Sequence, residues 1–258
     1  MLKLGKTIQD TKTVVEIMFF DIDGLTWCAP HKVEFVIEKS MFASGGFRKA
    51  YKAKSEHTDV KNKIWVVKKY LQNSLDIINA TEQSTEQHTR KIVQTHMLVR
   101  NMAAKLDQEI QEKSIQEYGE TFHYKQIYLG HIKSTNEMIT VEEYISGQFK
   151  KYVNNDGQCL NFNDDMPICQ KAESFMHHSY ERSNCELLVV DIQGCEYCLC
   201  DPEIASKSLD YDNEYLFTTG NLFTTGNLSS TAIENFRESH ECNKYCRGVH
   251  NDFVWGGV

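Results

Sequence analysis

The order of textures along the chain is the strongest constraint on its fold. From Val14 to Leu71, the apolar stretches VVEIMFF, KVEFVIE, FRKAYKA and KIWVVKKYL alternate with turns. Their β-branched and aromatic content predicts strands of an antiparallel sheet. Residues 82–116 then run without Gly or Pro and place Ile92, His96, Val99 and Ala103 near a helical period, which predicts a long helix. HYKQIYLG and EMITVEEYI return to strand character. A second helix is predicted to start at Pro167, since proline is tolerated in a first turn, and to run to about Arg182. ELLVV and EYCLC read as two short strands separated by the loop DIQG, and TAIENFRESH as a last helix. Strands first and helices later, with little βαβ alternation, predict an α+β fold.

With 258 residues and 41% hydrophobic content, the chain can bury one large core or the cores of two lobes. A net charge of -8 supplies no basic field for nucleic acid or an anionic membrane, so a basic peptide or protein partner fits better. No apolar run approaches the roughly 18 residues of a membrane span. The opening MLKLGKTIQD lacks the apolar core of a signal peptide, so a cytoplasmic location is expected. Nine cysteines in such a compartment are expected to stay reduced.

Several short segments carry candidate chemistry. HECNKYC spaces His240, Cys242 and Cys246 for a metal rather than a disulfide, but three ligands do not close a tetrahedral zinc site. FASGGFRKAY sets Gly45 and Gly46 in a strand turn before Arg48. Such glycines let amides approach phosphates, and a tight hairpin is the competing reading. In WVVKKY, Lys68 shares a face with Val66 and Lys69 with Val67, so one ammonium points inward and needs a partner, unless the strand is an edge. ELLVVDIQGCEYCLCDPEI ends one strand in Asp191 and another in Asp201, with Gln193 between, a placement suited to Mg²⁺ and to orienting a nucleophile. Cys195, Cys198 and Cys200 in that stretch read as buried free thiols. FFDIDGLT resembles the first motif of haloacid dehalogenase-type phosphatases through Asp21 and Asp23, against which stands a simple Asp23-Gly24 turn. FTTGNL at 217–222 repeats at 223–228 and reads as a lengthened loop.

Taken in order, these segments resemble the alpha-kinase family of atypical protein kinases over residues 13–248. FASGGFRKAY matches the phosphate loop, VVKKY the strand with the nucleotide lysine, and VEEYISGQFKKYVNNDG the hinge. VVDIQG and LCDPEIAS match the catalytic and metal segments, and HECNKYC the zinc module. The resemblance implies a two-lobed protein-kinase-like fold, with a sheet-rich lobe over 13–144, a zinc-stapled lobe over 145–248 and a tail over 249–258. It implies an ATP-dependent protein serine/threonine kinase that takes ATP between its lobes and uses Mg²⁺ and a structural Zn²⁺.

By the same resemblance, the backbone at Glu142 and Ile145 contacts adenine, Arg48 and Lys68 hold phosphates, and Gly45 with Gly46 shapes the covering loop. Gln193 and Asp201 bind Mg²⁺, and Asp191 orients or deprotonates the attacking hydroxyl. His177 is implied as the fourth zinc ligand with His240, Cys242 and Cys246. Helical geometry alone leaves His177 and His178 both open, since Ile168, Ala172, Phe175 and Ser179 share a face that His177 points away from. Val153, Ala205 and Ser229 depart from the family pattern at positions expected around the nucleotide and substrate cleft. A catalytically inactive nucleotide-binding scaffold of the same fold is the alternative.

Overall fold

Alternation of inward and outward side chains along KTVVEIM and HKVEFVI builds the first ladder, in which Val15 faces Val33 and Ile17 faces His31. The computed structural model describes residues 11–81, 83–160, 166–206 and 228–249. In chain order the first elements are β1 (Lys12–Met18), β2 (Phe20–Asp21), β3 (Thr26–Trp27), β4 (His31–Ile37), β5 (Ala43–Ser44), β6 (Arg48–Lys54) and β7 (Trp65–Tyr70). Helices α1 (Gln72–Ala80) and α2 (Thr85–Glu112) follow, then β8 (His123–Tyr124), β9 (Ile127–Ile132), β10 (Glu137–Glu143), β11 (Lys150–Lys151) and helix α3 (Met166–Arg182). Strands β12 (Leu187–Val190), β13 (Gln193–Cys195), β14 (Cys198–Cys200) and β15 (Glu203–Ser206) precede helices α4 (Leu228–Ser239) and α5 (Lys244–Val249). The mixture is α+β, with strands concentrated early.

The chain divides into two compact units. Unit 1 gathers Met1–Phe19, Trp27–Thr89 and Ile127–Tyr144, and unit 2 gathers Phe20–Thr26, Arg90–Gln126 and Ile145–Val258. This partition differs from a single cut after Tyr144, because most of α2 and the short strand β8 bury their apolar side chains in the core of unit 2.

Unit 1 is a seven-stranded sheet in the order β4-β1-β9-β10-β7-β6-β5. A further β4–β6 pairing, Val36 with Lys54 and Ile37 with Ala53, curls it back on itself. Its concave filling is Val15, Ile17, Val33, Phe35, Trp65, Val67, Ile139 and Val141, and the Trp65 indole donates to the Val60 carbonyl at 2.8 Å. Helix α2 opens with a capping box: Ser84 Oγ accepts the Gln87 amide at 3.1 Å while Gln87 Oε1 accepts the Ser84 amide at 2.9 Å.

Unit 2 surrounds α3, which starts one residue before Pro167 and buries nearly every side chain from Lys171 to Tyr180. The β12–β15 ladder and the small sheet β11-β13-β14-β8 accompany it. DIQG is therefore more than a loop. Gln193 and Gly194 belong to β13, which is paired on both sides, to β11 and to β14. Val153 and Ala205 are core residues of unit 2, at 0% and 2% exposure, so these two departures from the family pattern alter packing rather than line an open cleft. The FTTGNL repeat up to Asn227 and residues 250–258 lie outside the described residues, as does the side chain of Ser229.

Candidate functional site

The more buried of the two lysines, Lys68, has a partner. Strand β7 is not an edge: it runs between β10 and β6, which places Lys68 opposite both Thr140 and Ala50. Lys68 Nζ donates to Glu142 Oε2 at 2.6 Å, with the two side chains only 11% and 5% exposed. Arg48 Nη1 donates to Thr140 Oγ1 at 2.9 Å and stands 3.9 Å from Glu142 Oε1, to which Thr140 donates at 2.8 Å. Two cations converge on one carboxylate, and cations held in a largely desolvated setting suit an anion such as phosphate. Lys69, on the opposite face, pairs with Glu137 at 3.0 Å.

The Glu142 backbone lies in the ladder between Val66 and Ile127, and its carboxylate reaches Lys68 and Arg48. Gly45 and Gly46 form the β5–β6 turn, closed by the Gly45 amide on the Arg48 carbonyl at 2.9 Å. A side chain added at Gly46 would meet nothing within 4 Å, so this turn leaves its backbone open to an approaching ligand. Ile145 is the first residue of unit 2 after β10.

In unit 2, Asp191 follows β12 directly and Asp201 precedes β15 by one proline. Gln193 Nε2 donates to Asp191 Oδ2 at 2.8 Å and to the Asp201 carbonyl at 3.2 Å, so one side chain ties the two acidic segments together. The β11–β13 register sets Lys151 beside Gln193, and its ammonium meets Asp191 Oδ1 at 2.5 Å. Burial pushes the Asp191 carboxyl above its ordinary range and the Asp201 charge adds to this, while Lys151 and Gln193 pull the other way. Glu203 faces the same field. Burial, then Asp191, raise its carboxyl to about 7, with Lys151 opposing and Asp201 reinforcing.

Sequence reasoning assigned no role to Lys151 or Glu203. Lys151 could have been found by asking which cation balances an aspartate at a buried strand end, since FKKY lies in a segment already singled out. Glu203 carries no such signal, because only the β12–β15 register, which sets it opposite Val190, brings it there. Asp21 and Asp23 make a local turn, with Asp21 Oδ1 accepting the Asp23 amide at 3.2 Å.

The four residues His177, His240, Cys242 and Cys246 converge, with ligand atoms all within 4.8 Å of one another. His177 Nδ1 lies 3.1 Å from His240 Nε2 and 3.5 Å from Cys242 Sγ; His240 Nε2 lies 3.9 Å from Cys242 Sγ and 3.7 Å from Cys246 Sγ. Zinc bonds of ordinary length imply tetrahedral edges of about 3.3–3.8 Å between such atoms, so the donor set fits. Burial pushes the Cys246 thiol up to about 12. His178 turns elsewhere, with Nδ1 3.9 Å from Glu109. The loop is set by Asn243, unnoticed in the sequence. Its Oδ1 accepts the amides of Tyr245 and Cys246 at the start of α5, and its Nδ2 donates to the Gln170 carbonyl on α3 at 2.8 Å.

Taken by themselves, the paired cations of unit 1 suit an anion such as phosphate, and the tied Asp-Gln-Asp group of unit 2 suits a divalent cation and a hydroxyl. A profile of the alpha-kinase family matches residues 43–246, and the chain belongs to that family, whose function class is ATP-dependent protein phosphorylation. It is 28% identical over 225 residues to transient receptor potential cation channel subfamily M member 7 of Homo sapiens, an alignment covering 84% of this chain and 11% of that protein. It is 35% identical over 114 residues to myosin heavy chain kinase B of Dictyostelium discoideum, covering 44% of this chain and 13% of the kinase. The chain thus spans a small fraction of these relatives. Among solved structures, the alpha-kinase domain of myosin-II heavy chain kinase A in complex with AMP-PNP matches with a TM-score of 0.72 at 21% identity, over 97% of this chain and 99% of that one. That likeness establishes the fold. Among the described residues no helix is long and apolar enough to cross a membrane.

Proposed function

We propose that the chain is an ATP-dependent serine/threonine protein kinase, cytoplasmic and acting on a protein substrate of basic character. The observation that carries this reading is Asp191, held from two sides by Lys151 and Gln193 at the end of a buried strand. In this reading Lys68 and Arg48 bind nucleotide phosphates, and Glu142 keeps the Lys68 ammonium in place. The Gly45-Gly46 turn covers the phosphates, and the Ile145 backbone contacts adenine. Asp191 orients the incoming hydroxyl and accepts its proton as the oxygen attacks the γ-phosphorus, with ADP leaving. Gln193 and Asp201 would hold Mg²⁺, which when bound neutralises phosphate charge. His177, His240, Cys242 and Cys246 would hold a structural zinc, closed to water because all four positions are protein side chains. Acidic overall charge supports the basic substrate, and AMP-PNP bound to a neighbour of the same fold supports the nucleotide.

The test is incubation of the purified chain with labelled ATP, Mg²⁺ and basic proteins, followed by phosphoamino-acid analysis. Label on serine or threonine is expected. Nucleotide binding without transfer would identify the scaffold alternative instead.

A further inference from the structure

Strands β13 and β14 form a hairpin joined by Glu196 and Tyr197, whose register sets Cys195 opposite Cys198 and Gln193 opposite Cys200. Residues two apart on a strand share a face, so three thiols and Gln193 lie on one side of the hairpin. Gly194 and the fully buried Leu199 take the other. The strands approach closely, since a Cβ added at Gly194 would sit 2.2 Å from the Cys198 carbonyl oxygen. Directly opposed residues in an antiparallel ladder have Cα atoms about 4.5–5.5 Å apart. That spacing falls inside the window of about 4.4–6.8 Å that a disulfide requires. None of the nine cysteines is in a disulfide here.

We propose that Cys195 and Cys198 form an oxidisable dithiol, a site of reversible disulfide modification beside the Gln193 anchor. The oxidant is a hydroperoxide. The partly exposed Cys198 thiolate attacks its outer oxygen, the O–O bond breaks, and Cys198 becomes a sulfenic acid as the peroxide is reduced to an alcohol or water. The Cys195 sulfur then attacks the Cys198 sulfur, the S–O bond breaks, and one water leaves with the Cys195 proton. Cys195, at 7% exposure, is shielded from the peroxide, which leaves it the resolving rather than the first-reacting partner.

The bridge would reach Gln193. A Cβ added at Gly147, where φ is +129°, would lie 3.5 Å from Cys195 Sγ, so this sulfur packs against the segment leading to β11 and Lys151. Rotating it toward Cys198 disturbs that packing and draws the β13 end, two residues from Gln193, toward β14. Phosphoryl transfer is expected to fall on oxidation and to return with a dithiol reductant. Only this last consequence rests on the kinase reading.

The experiment treats the full chain with graded hydrogen peroxide, alkylates remaining thiols, digests, and locates bridges by mass spectrometry, with transfer measured in parallel. The expected product is a peptide lighter by about 2 Da with Cys195 and Cys198 protected from alkylation. It should be absent in Cys195→Ser and Cys198→Ser and present in Cys200→Ser. Alkylation of both Cys195 and Cys198 after Cys242 and Cys246 have oxidised would overturn the proposal, and so would a bridge made by Cys200. A Cys195–Cys198 bridge with unchanged transfer would overturn the link to Gln193. A bridge in a chain that transfers no phosphate even when reduced would sink the kinase reading and keep the dithiol.

Discussion

Asp191 and Asp201 share a left-handed backbone, with φ of 54° and 49°, at the two ends of polypeptide that flank the β12–β15 ladder. Asn and Asp are the side chains that tolerate this region best, and others lose roughly 1–2 kcal/mol there. At each position Asn is therefore expected to keep the fold better than Ala, by about 1 kcal/mol in denaturant unfolding. Equal stability of Asp191→Asn and Asp191→Ala would show that the backbone is relaxed without the aspartate.

The pH dependence of transfer follows from the surroundings of Asp191. Its carboxyl is raised, chiefly by burial, so the acid limb of kcat/KM is expected above the ordinary carboxylate range. Lys151 opposes that shift by favouring the carboxylate. Lys151→Met should move the acid limb further up, by about one pH unit or more. A limb that stays in place, or moves down, contradicts the assignment of Asp191 as the base.

Glu203 gives a stability test with a definite sign. Its carboxyl rises from 4.5 to about 7 in the folded chain, which binds that proton more tightly than the unfolded chain does. The resulting stability is fully present below the unfolded value and is lost as pH rises through about 7. Glu203→Gln should accordingly stabilise the chain by about 1–3 kcal/mol near pH 8 relative to its effect near pH 4. Thermal unfolding at both pH values checks this, and a gain confined to the acid side is the contrary result.

Metal removal should separate two neighbouring histidines. One zinc per chain is expected by metal analysis, and chelation should lower stability by several kcal/mol because metal binding and folding are coupled. His177→Ala and Cys246→Ala should lose the metal, whereas His178→Ala, which lies outside the cluster and stands by Glu109, should keep it. Zinc retained by His177→Ala would contradict the observed cluster.

The fold class was legible because strand alternation around Val15, Val33 and Val67 and the unbroken period of α2 are local signals. The partition of the chain was less so: α2 belongs mostly with unit 2, and which core a helix joins depends on contacts far along the sequence. At the candidate site, Lys68 and Asp191 stood out as charges at apolar strand positions, a conflict visible residue by residue. Glu142 was noticed for its backbone, and only the β7–β10 register shows its carboxylate on Lys68. Helical periodicity could not choose between His177 and His178, because α3 is buried on nearly every side and offers no solvent face to orient it. Lys151, Glu203 and Asn243 act through partners distant in sequence, which no local pattern reveals.

Lys68 is proposed to serve the nucleotide and Asp191 the hydroxyl, and these roles separate in one experiment. They are tested most directly by measuring ATP binding and labelled-phosphate transfer on the same preparations of Lys68→Ala and Asp191→Asn, each first shown folded. Lys68→Ala is expected to lose ATP affinity and transfer together, and Asp191→Asn to keep most ATP affinity while transfer falls by orders of magnitude. Transfer by Asp191→Asn at the unmodified rate would contradict these roles.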